Sequence, residues 1–348
     1  MHTKQRIFRM VILLMMVGRC AVAADQAVWD SLAKYEFGKY SPTLCALETE
    51  IRGAPAGQFE QYEDKLLVLL NTQSATCAAK DFSCRMLRLV GSEKCVPVLA
   101  GFLADEKMGH ISRYALQGLP FPSVDEALRH ALGKTTGIQK AGVISSLGVR
   151  KDAKSVPLLK PLMTDADLVV ARESVSALGR IASPDALEVL MEAKVADGLK
   201  SAVLESRLLC ADALLAKGKA DQAADVYRGA LGEGNPEGVR AAALIGLARA
   251  VKDDALPTIC EMLKSQDSHS QRAAGAALME IRGEQFSKAM VDVLGSLSAD
   301  AQVIAIHVLA VNGTKNIVSD IAKLTGSSEK AVRVAAVQAL AALGDVSD

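Results

Sequence analysis

Apolar residues return along this chain at a long and nearly constant interval. The interval is marked by a leucine, and successive marker leucines stand 32, 28, 31, 36, 33, 31, 31 and 31 residues apart. The marker leucines are Leu87, Leu119, Leu147, Leu178, Leu214, Leu247, Leu278, Leu309 and Leu340. Within each unit the apolar residues are spaced by three and four positions, which predicts α-helices. Such a period is typical of stacked helical hairpins.

Small residues accompany each marker leucine on the same helix face. Four positions before the markers stand Ser83, Ala115, Val143, Ser174, Cys210, Ala243, Ala274, Ala305 and Ala336. Residues four apart share a helix face, and small side chains there let a neighbouring helix approach closely. After a turn, apolar pairs three positions apart predict the next helix. The sequence therefore predicts an all-α fold, an α–α superhelix of about nine helical hairpins.

Two units depart from the regular pattern. After Leu119 the turn reads Pro120, Phe121, Pro122, and because proline fixes its own φ we expect an irregular bend there. The unit after Leu214 is longer. Its helix, predicted over 221–231, resembles a tetratricopeptide helix in its alanines and tyrosine, so the repeats are expected to be locally mixed.

The repeats themselves resemble a known family. The resemblance is to the second helix of HEAT repeats, and it is carried by EGVRAAALIGLARA at 237–250 and EKAVRVAAVQALAALG at 329–344. It is strongest to the short type grouped as phycobilisome-lyase HEAT-like repeats, and it extends from about Tyr62 to the last residues. It implies a HEAT-like solenoid. The stretch 82–148 also resembles a group of exported bacterial proteins with HEAT-like repeats.

The start of the chain predicts export. Residues 1–23 have the order of a secretory signal, with basic residues, then the apolar run 10–17, then small residues ending at Ala23. Cleavage is expected after Ala23, with Ala24 as the alternative. The apolar run is shorter than the roughly 20 residues that span a bilayer. We therefore expect a periplasmic or extracellular protein without a membrane span.

We expect a different feature at each end of the predicted repeat region, 62–348. Aromatic residues cluster ahead of the first repeat, which predicts an N-terminal helical cap over 24–61. In the last predicted helix, apolar residues between Val332 and Leu343 occupy several faces. Two alternatives remain open for this helix. Its outer face is either harmless exposed surface or a site of self-association.

Charge argues against nucleic acid as a partner. The whole chain has 40 Lys and Arg residues and 40 Asp and Glu residues. The predicted signal contains Lys4, Arg6, Arg9 and Arg19 and no acid, so the processed chain has a net charge of −4. Its basic residues are interleaved with acidic ones and form no stripe. Polyanion binding requires clustered Lys and Arg, and we expect none here.

Six cysteines follow the predicted signal. On one helix, Cys77 and Cys84 would be separated by roughly 10 Å of rise, whereas the Cα atoms of a disulfide lie roughly 5.5 Å apart. These two are expected not to pair. Pairing of Cys84 with Cys95, or of Cys45 with Cys77, stays open. Cys210 stands in the small-residue position of its repeat, where we expect a buried apolar filler.

The search for catalytic chemistry gives a negative expectation. Among HEAT-like proteins, deoxyhypusine hydroxylase binds two iron ions through His-Glu dipeptides, and this chain contains none. Its histidines do not recur at three- or four-residue spacing, and it has no nucleophile elbow, P-loop or dinucleotide fingerprint. We therefore predict no catalytic, metal-binding or cofactor-binding residues and no cofactor.

The resulting function prediction is a non-enzymatic scaffold. The exported repeats would bind a protein partner of unknown identity on a concave face formed by the second helices. The alternative is an accessory subunit of an envelope enzyme complex, or a repeat-fold enzyme related to phycobilisome lyases. A convergent cluster of His, Glu or Cys would favour that alternative.

Two sets of polar residues are candidates for specific roles. Basic residues begin the second helices at Arg113, Lys140, Arg172, Arg207, Arg240, Arg272 and Arg333, with acids such as Asp167, Glu237, Asp267 and Glu329 upstream. Regular repetition favours a structural ladder of polar contacts between repeats over a row that binds ligand. The least repeat-like polar segment contains His110, Arg113 and Tyr114. It is either a solvated turn and helix start or a ligand-binding site.

Overall fold

The computed structural model describes residues 25–343, which are helical and contain no β-strand. The first ten helices are α1 Gln26–Ala33, α2 Pro42–Arg52, α3 Phe59–Asn71, α4 Cys77–Val90, α5 Val96–Gly101, α6 Gly109–Gly118, α7 Pro122–Ala131, α8 Gly137–Val149, α9 Val156–Leu159 and α10 Leu168–Ile181. The remaining helices are α11 Pro184–Met191, α12 Lys200–Ala216, α13 Ala220–Gly229, α14 Glu237–Val251, α15 Leu256–Lys264, α16 Ser268–Leu278, α17 Glu284–Leu294, α18 Ala299–Asn312, α19 Val318–Lys323 and α20 Lys330–Leu343. The predicted signal at 1–23 lies outside the described residues.

From α3 onward the helices form hairpins, so the predicted all-α repeat fold is confirmed. In each hairpin the odd-numbered helix comes first and the even-numbered one second, and we call α4, α6 and the later even-numbered helices the second helices. The described part of the chain forms two compact units, which divide between Ala177 and Leu178. In the first unit α4 packs on α6 and α6 on α8, and in the second unit each second helix from α12 to α20 packs on the next.

Local sequence explains where the helices begin. Three short first helices, α5, α9 and α15, carry a proline in the first turn, where its missing N–H costs nothing and its fixed φ suits a helix. Other helices are capped by a side-chain oxygen. The hydroxyl of Ser183 accepts the Ala186 N–H at 3.1 Å, and the carboxylate of Asp267 accepts the N–H groups of His269 and Ser270.

The marker leucines lie where the period places them, in the interior. Most of the nine are at most 2 % exposed, whereas Leu214 and Leu340 are half-buried. The residues four positions earlier are all buried, including the polar Ser83 and Ser174, whose hydroxyls donate to carbonyls of their own helices. The repeated leucine and its small neighbour therefore form the seam on which successive helices pack.

Both irregular units have a structural explanation. The segment between α6 and α7 is extended around Leu119 and Phe121, and the guanidinium of Arg150 donates to both of their carbonyls, at 2.6 and 3.1 Å. In α13 Ala223, Ala224 and Tyr227 are buried, and the Tyr227 hydroxyl donates to Asp212 at 2.5 Å. Tyr227 is thus an internal anchor of its hairpin.

The two helices before the repeats cover the first of them. Helix α1 contacts α3 and α4, α2 packs on α4, and Trp29 and Leu47 are buried. The aromatic residues do not act together, because Phe37 and Tyr40 lie in the α1–α2 connection and are 65 % and 86 % exposed. The buried side chains of α1 and α2 are Trp29, Leu32, Leu47 and Ile51, so this cover is mainly aliphatic.

All six cysteines of the described residues are free thiols. In this structure neither Cys84 with Cys95 nor Cys45 with Cys77 is joined by a disulfide. Cys210 is buried at 2 % exposure, as expected of a filler. Separately, the described residues include no helix whose length and hydropathy would let it cross a membrane.

Candidate binding face on the second helices

Large apolar side chains that remain exposed are concentrated on the second helices. They are Leu89, Tyr114, Ile138, Val149, Leu168, Val169, Leu209, Val311, Val334 and Val337, and Met279 directly follows α16. The first helices expose fewer such residues, namely Val68, Leu158 and Met191. Since exposed apolar side chains are the usual anchors of protein interfaces, the second helices carry the candidate binding face.

In the first unit, exposed residues stand at one repeated position near the starts of three second helices. His110, Ile138 and Val169 each stand nine residues before a marker leucine, on α6, α8 and α10. All three are exposed, and Ile138 and Val169 are 69 % and 53 % exposed. We call these three residues, with Arg113 and Arg172 three positions further along α6 and α10, the N-terminal strip.

Two glycines of α8 lie near residues that belong to the neighbouring hairpins. A Cβ built on Gly137, the first residue of α8, would lie 3.9 Å from a carboxylate oxygen of Asp167, which precedes α10. On the other side of α8, a Cβ on Gly142 would lie only 2.2 Å from the guanidinium carbon of Arg113. Gly142 therefore forms a slot that accepts the side chain of Arg113 from α6.

The slot determines the electrostatic state of Arg113. Its Nε is buried and makes no hydrogen bond. Burial lowers the pKa of the guanidinium, and the negative charge of Glu173 on α10 opposes that effect. Arginine remains charged over the whole physiological range. The strip thus contains a cation that is held in the Gly142 slot and partly removed from water.

Tyr114 belongs to a neighbouring seam. The Arg88 guanidinium donates a hydrogen bond to the Tyr114 hydroxyl at 2.7 Å and lies 4.4 Å from the ring centre. Arg88 also fills the space above Gly118, where a Cβ would lie 2.4 Å from its Nε. Arg88 and Tyr114 therefore form a fixed cation–aromatic pair between α4 and α6.

The structure separates Tyr114 from His110 and Arg113, the other two residues proposed from sequence as a ligand site. Consecutive residues of a helix point about 100° apart. Arg113 accordingly reaches α8, whereas Tyr114 reaches Arg88 on α4, and His110 is exposed. Their role in ligand binding stays a prediction. Among the described residues, no group of three or more His, Cys, Asp or Glu is arranged to hold a metal ion.

Sequence reasoning missed the two glycine slots and Arg88. The available signal was glycine inside a predicted helix, at Gly118 and Gly142, where it is unfavourable by about 1 kcal/mol relative to alanine. Such a glycine indicates close packing. The partner that fills each slot lies 29 or 30 positions earlier in the sequence, so spacing alone does not identify it.

The predicted ladder residues have different surroundings. Arg240 approaches Asp267 of the next repeat at 4.0 Å. Arg207 donates to the carbonyls of Leu190 and Met191 in its own hairpin. Arg333 binds the carbonyls of Ser327 and Ser328 just before its helix, Arg272 donates to Ser268 in its own helix, and Arg172 is exposed. The common ladder role stays a prediction.

Polar contacts between repeats also occur at the C-terminal ends of the second helices. The Asn312 amide donates to the carbonyls of Leu278, Met279 and Ile281 at 3.3, 2.9 and 3.0 Å. Arg150 makes the corresponding contacts to the carbonyls after α6. Both residues stand three positions after a marker leucine. They satisfy carbonyls that every helix leaves unpaired at its C-terminal end.

Comparison with known proteins identifies the class. Residues 124–206 match the family model of HEAT repeats. Together with the helical hairpins described above, this match shows HEAT-like repeats within the chain. A comparison with curated protein sequences gave no match.

Solved structures of other helical-repeat proteins are similar in fold. Human deoxyhypusine hydroxylase is 19 % identical, with 72 % of this chain and 96 % of that chain covered and a TM-score of 0.33. Kap121p is 12 % identical, with 91 % and 45 % covered and a TM-score of 0.48. The CpcE–CpcF complex of phycocyanin lyase from Nostoc sp. PCC7120 is 15 % identical, with 71 % and 94 % covered and a TM-score of 0.34. The chain spans less than half of Kap121p, and at these identities the likeness concerns the fold alone.

Proposed function

We propose that this chain is a non-enzymatic scaffold that binds a segment of a protein partner on its second helices, with the N-terminal strip as a principal contact. The observation that carries the proposal is the combination of exposed Ile138 and Val169 with the held cation of Arg113 near the starts of α6, α8 and α10. Apolar anchors supply affinity when they are removed from water. The arginine supplies orientation.

The chemistry of the strip favours an apolar segment that carries a carboxylate. Arg113 is held in the Gly142 slot before any partner arrives, so little side-chain freedom is lost on binding. A hydrogen bond from arginine to a carboxylate is among the stronger polar contacts in proteins. Glu173 reduces the net positive charge of the strip, which disfavours non-specific binding of polyanions.

We also propose that the chain acts outside the cytoplasm, as a periplasmic or extracellular protein. This part of the proposal is supported by the sequence of residues 1–23, which has the order of a secretory signal. Its direct test is the N-terminal residue of the protein recovered from cells. Ala24 or Asp25 at that position would support processing, and recovery of Met1 would contradict it.

The binding proposal is tested by capture from a native envelope extract with two matched variants. The first variant, Ile138→Asp with Val169→Asp, places charge on the strip at helix starts, where aspartate is tolerated. The control, Leu158→Asp, changes an exposed residue of similar type on α9, a first helix. A protein captured by wild type and by the control, but lost with the strip variant, is the expected result. Equal capture by all three proteins would contradict it.

A further inference from the structure

A cleft lies between α1 and α3, on helices that contribute nothing to the N-terminal strip. Its volume is about 450 Å³, within the roughly 300–1,000 Å³ that small-ligand sites occupy. Trp29, Asp30 and Lys34 line it from the side of α1, and Asp64, Val68 and Leu69 line it from α3. The cleft is therefore a candidate binding site that is separate from the strip.

Hydrogen bonds at both ends of the cleft hold the two helices in place. Near the start of α1, the Lys65 ammonium group donates to the side-chain carbonyl of Gln26 at 3.0 Å. At the end of α1, the Thr76 N–H donates to the carbonyl of Ala33 at 3.0 Å. Between these bonds, Asp30 accepts from Gln26 of its own helix at 2.9 Å, and the methyl group of Ala33 is too short to fill the space. The cleft consequently stays open between two held ends.

The two ends of the cleft differ in the charge they offer. At the start of α1, the carboxylate of Asp64 is already paired with Lys94. At the end of α1 stand Lys34 and Ser74, which are both exposed. Within residues 25–343 no acid pairs with the Lys34 ammonium group, and the Ser74 hydroxyl makes no hydrogen bond. This second end thus offers a cation and a hydroxyl donor to a negatively charged group.

The middle of the cleft is apolar. Val68 is 66 % exposed, whereas Leu69 and Trp29 are buried at 5 % and 4 % exposure. Val68 therefore supplies most of the apolar surface that a ligand could remove from water. The tryptophan lies beneath this surface, and its ring face is covered.

We propose that this cleft binds the free C-terminal end of a short apolar peptide. Lys34 and Ser74 bind the carboxylate, and an apolar side chain of the peptide covers Val68. A hydrogen bond from an ammonium group to a carboxylate is among the stronger polar contacts, and covering Val68 removes apolar surface from water. Asp30 can accept further hydrogen bonds besides the one from Gln26, which suits a backbone N–H of the peptide.

The length of the cleft fits about three residues. Lys65 and Thr72 both line it, and between them α3 rises about 10 Å. Three residues of extended chain have about the same length. A C-terminal tripeptide bound at Lys34 therefore reaches the end at which Gln26 and Lys65 provide further hydrogen-bonding groups.

Other classes of ligand use the cleft less well. A phosphate group would bring more negative charge toward the carboxylates of Asp30 and Asp64. A fatty acid would place hydrocarbon against Gln26 and Asp30, which lose water without gaining a hydrogen bond. A neutral sugar would leave Lys34 without a counter-charge and would find no exposed aromatic face in the cleft. An apolar peptide with a free carboxylate satisfies the cation, the apolar wall and the acceptor together.

The proposal is tested with the peptide acetyl-Ala-Val-Leu, with a free C-terminus or with a C-terminal amide. Trp29 is the single tryptophan of the sequence and lines the cleft, so its fluorescence reports on binding there. The free acid should give a saturable change in emission. The amide should bind roughly ten- to hundredfold more weakly, since it lacks the charge-assisted contact. No saturable change, or equal affinity for the two peptides, would overturn the proposal.

Two lysine variants test which cation binds the carboxylate. Lys34→Gln should weaken binding of the acid about as much as amidation does, and should change binding of the amide little. The control is Lys39→Gln, since Lys39 is exposed in the same α1–α2 connection but pairs with Glu36 at 3.0 Å. It should bind both peptides as wild type does. Wild-type affinity in Lys34→Gln, or equal weakening in the control, would show that Lys34 is not the anchor.

A variant of the apolar wall tests the second contact. Val68→Asp should weaken binding of both peptides, because it places a charge where the apolar side chain packs. Unchanged affinity in this variant would exclude the cleft as the site. The strip variant Ile138→Asp with Val169→Asp should bind the peptide as wild type does, because neither residue lines the cleft. Failure of the peptide site and failure of the proposed scaffold function are thus told apart.

Discussion

The ring of Tyr227 packs against Gly246 so closely that a Cβ at position 246 would lie 2.3 Å from its Cε1 atom. Tyr227 comes from the first helix of this hairpin and Gly246 from the second. The tyrosine is 1 % exposed, and burial followed by the Asp212 hydrogen bond raises the pKa of its hydroxyl. Glycine at this position is therefore a packing requirement.

Gly246→Ala should destabilise the second unit by about 1–3 kcal/mol, the usual cost of overpacking a core. The control is Gly238→Ala in the same helix, where a Cβ meets open space. It should leave stability unchanged or raise it by up to about 1 kcal/mol, because alanine favours the helix. Thermal unfolding of both variants measures the difference. Equal melting temperatures would show that the ring moves aside at little cost.

Gly142→Ala should displace Arg113 from its slot in the first unit. The side chain would then lose its fixed position in the N-terminal strip. If a charge-assisted hydrogen bond of about 1.5–3 kcal/mol is lost, affinity for the captured partner falls roughly ten- to hundredfold. Gly133→Ala, in the turn of the same hairpin with open space around its Cβ, is the control. Unchanged affinity in Gly142→Ala would remove Arg113 from the proposed contact.

The cysteines should divide into two reactive and four unreactive thiols. Cys45 and Cys77 are exposed, whereas Cys84, Cys95, Cys210 and Cys260 are buried. Burial is the main cause that raises the pKa of Cys84, Cys95 and Cys210 to about 12, so the reactive thiolate is scarce at pH 8.

Alkylation followed by mass spectrometry of the processed chain should therefore label two cysteines in the folded state. All six should be labelled in denaturant without reductant. Rapid labelling of a buried thiol would contradict the burial pattern. Fewer than six labels in denaturant would mean that a disulfide forms in the native environment.

Asp267 should make the stability of the second unit dependent on acid pH. The Ser270 hydroxyl, then the N–H groups of Ser270 and His269, hold the pKa of its carboxyl well below the ordinary value. Because the folded-state pKa is lowered, the stabilisation is complete above the unfolded pKa of about 3.9 and is lost as the pH falls below it.

Asp267→Ala should accordingly lower the melting temperature at pH 7, and the gap from wild type should narrow below about pH 4. Asp300→Ala is the control, since Asp300 is exposed in the first turn of α18 but Ser298 caps that helix. It should change the melting temperature less. A gap for Asp267→Ala that is independent of pH would show that the carboxylate is not responsible.

The sequence by itself determined the helical hairpins and most of their interior. Ala115 and Leu119 could be assigned to the core because residues four apart share a helix face. The same pair of positions returns about every 31 residues, so the assignment extends to the other repeats. These are local rules of helix geometry, and they hold whatever the neighbouring repeat contains. They do not identify the residue that meets a given face.

Only the tertiary structure decided which residues of different repeats contact each other. Arg113 and Tyr114 are adjacent in sequence, yet they reach opposite neighbours because each seam is formed by a different helix. Val337 and Ile306 have the same register, yet one is exposed and the other buried. The physical reason is that burial of a helix face requires a covering side chain, and that side chain comes from another repeat, about 30 residues away along the chain.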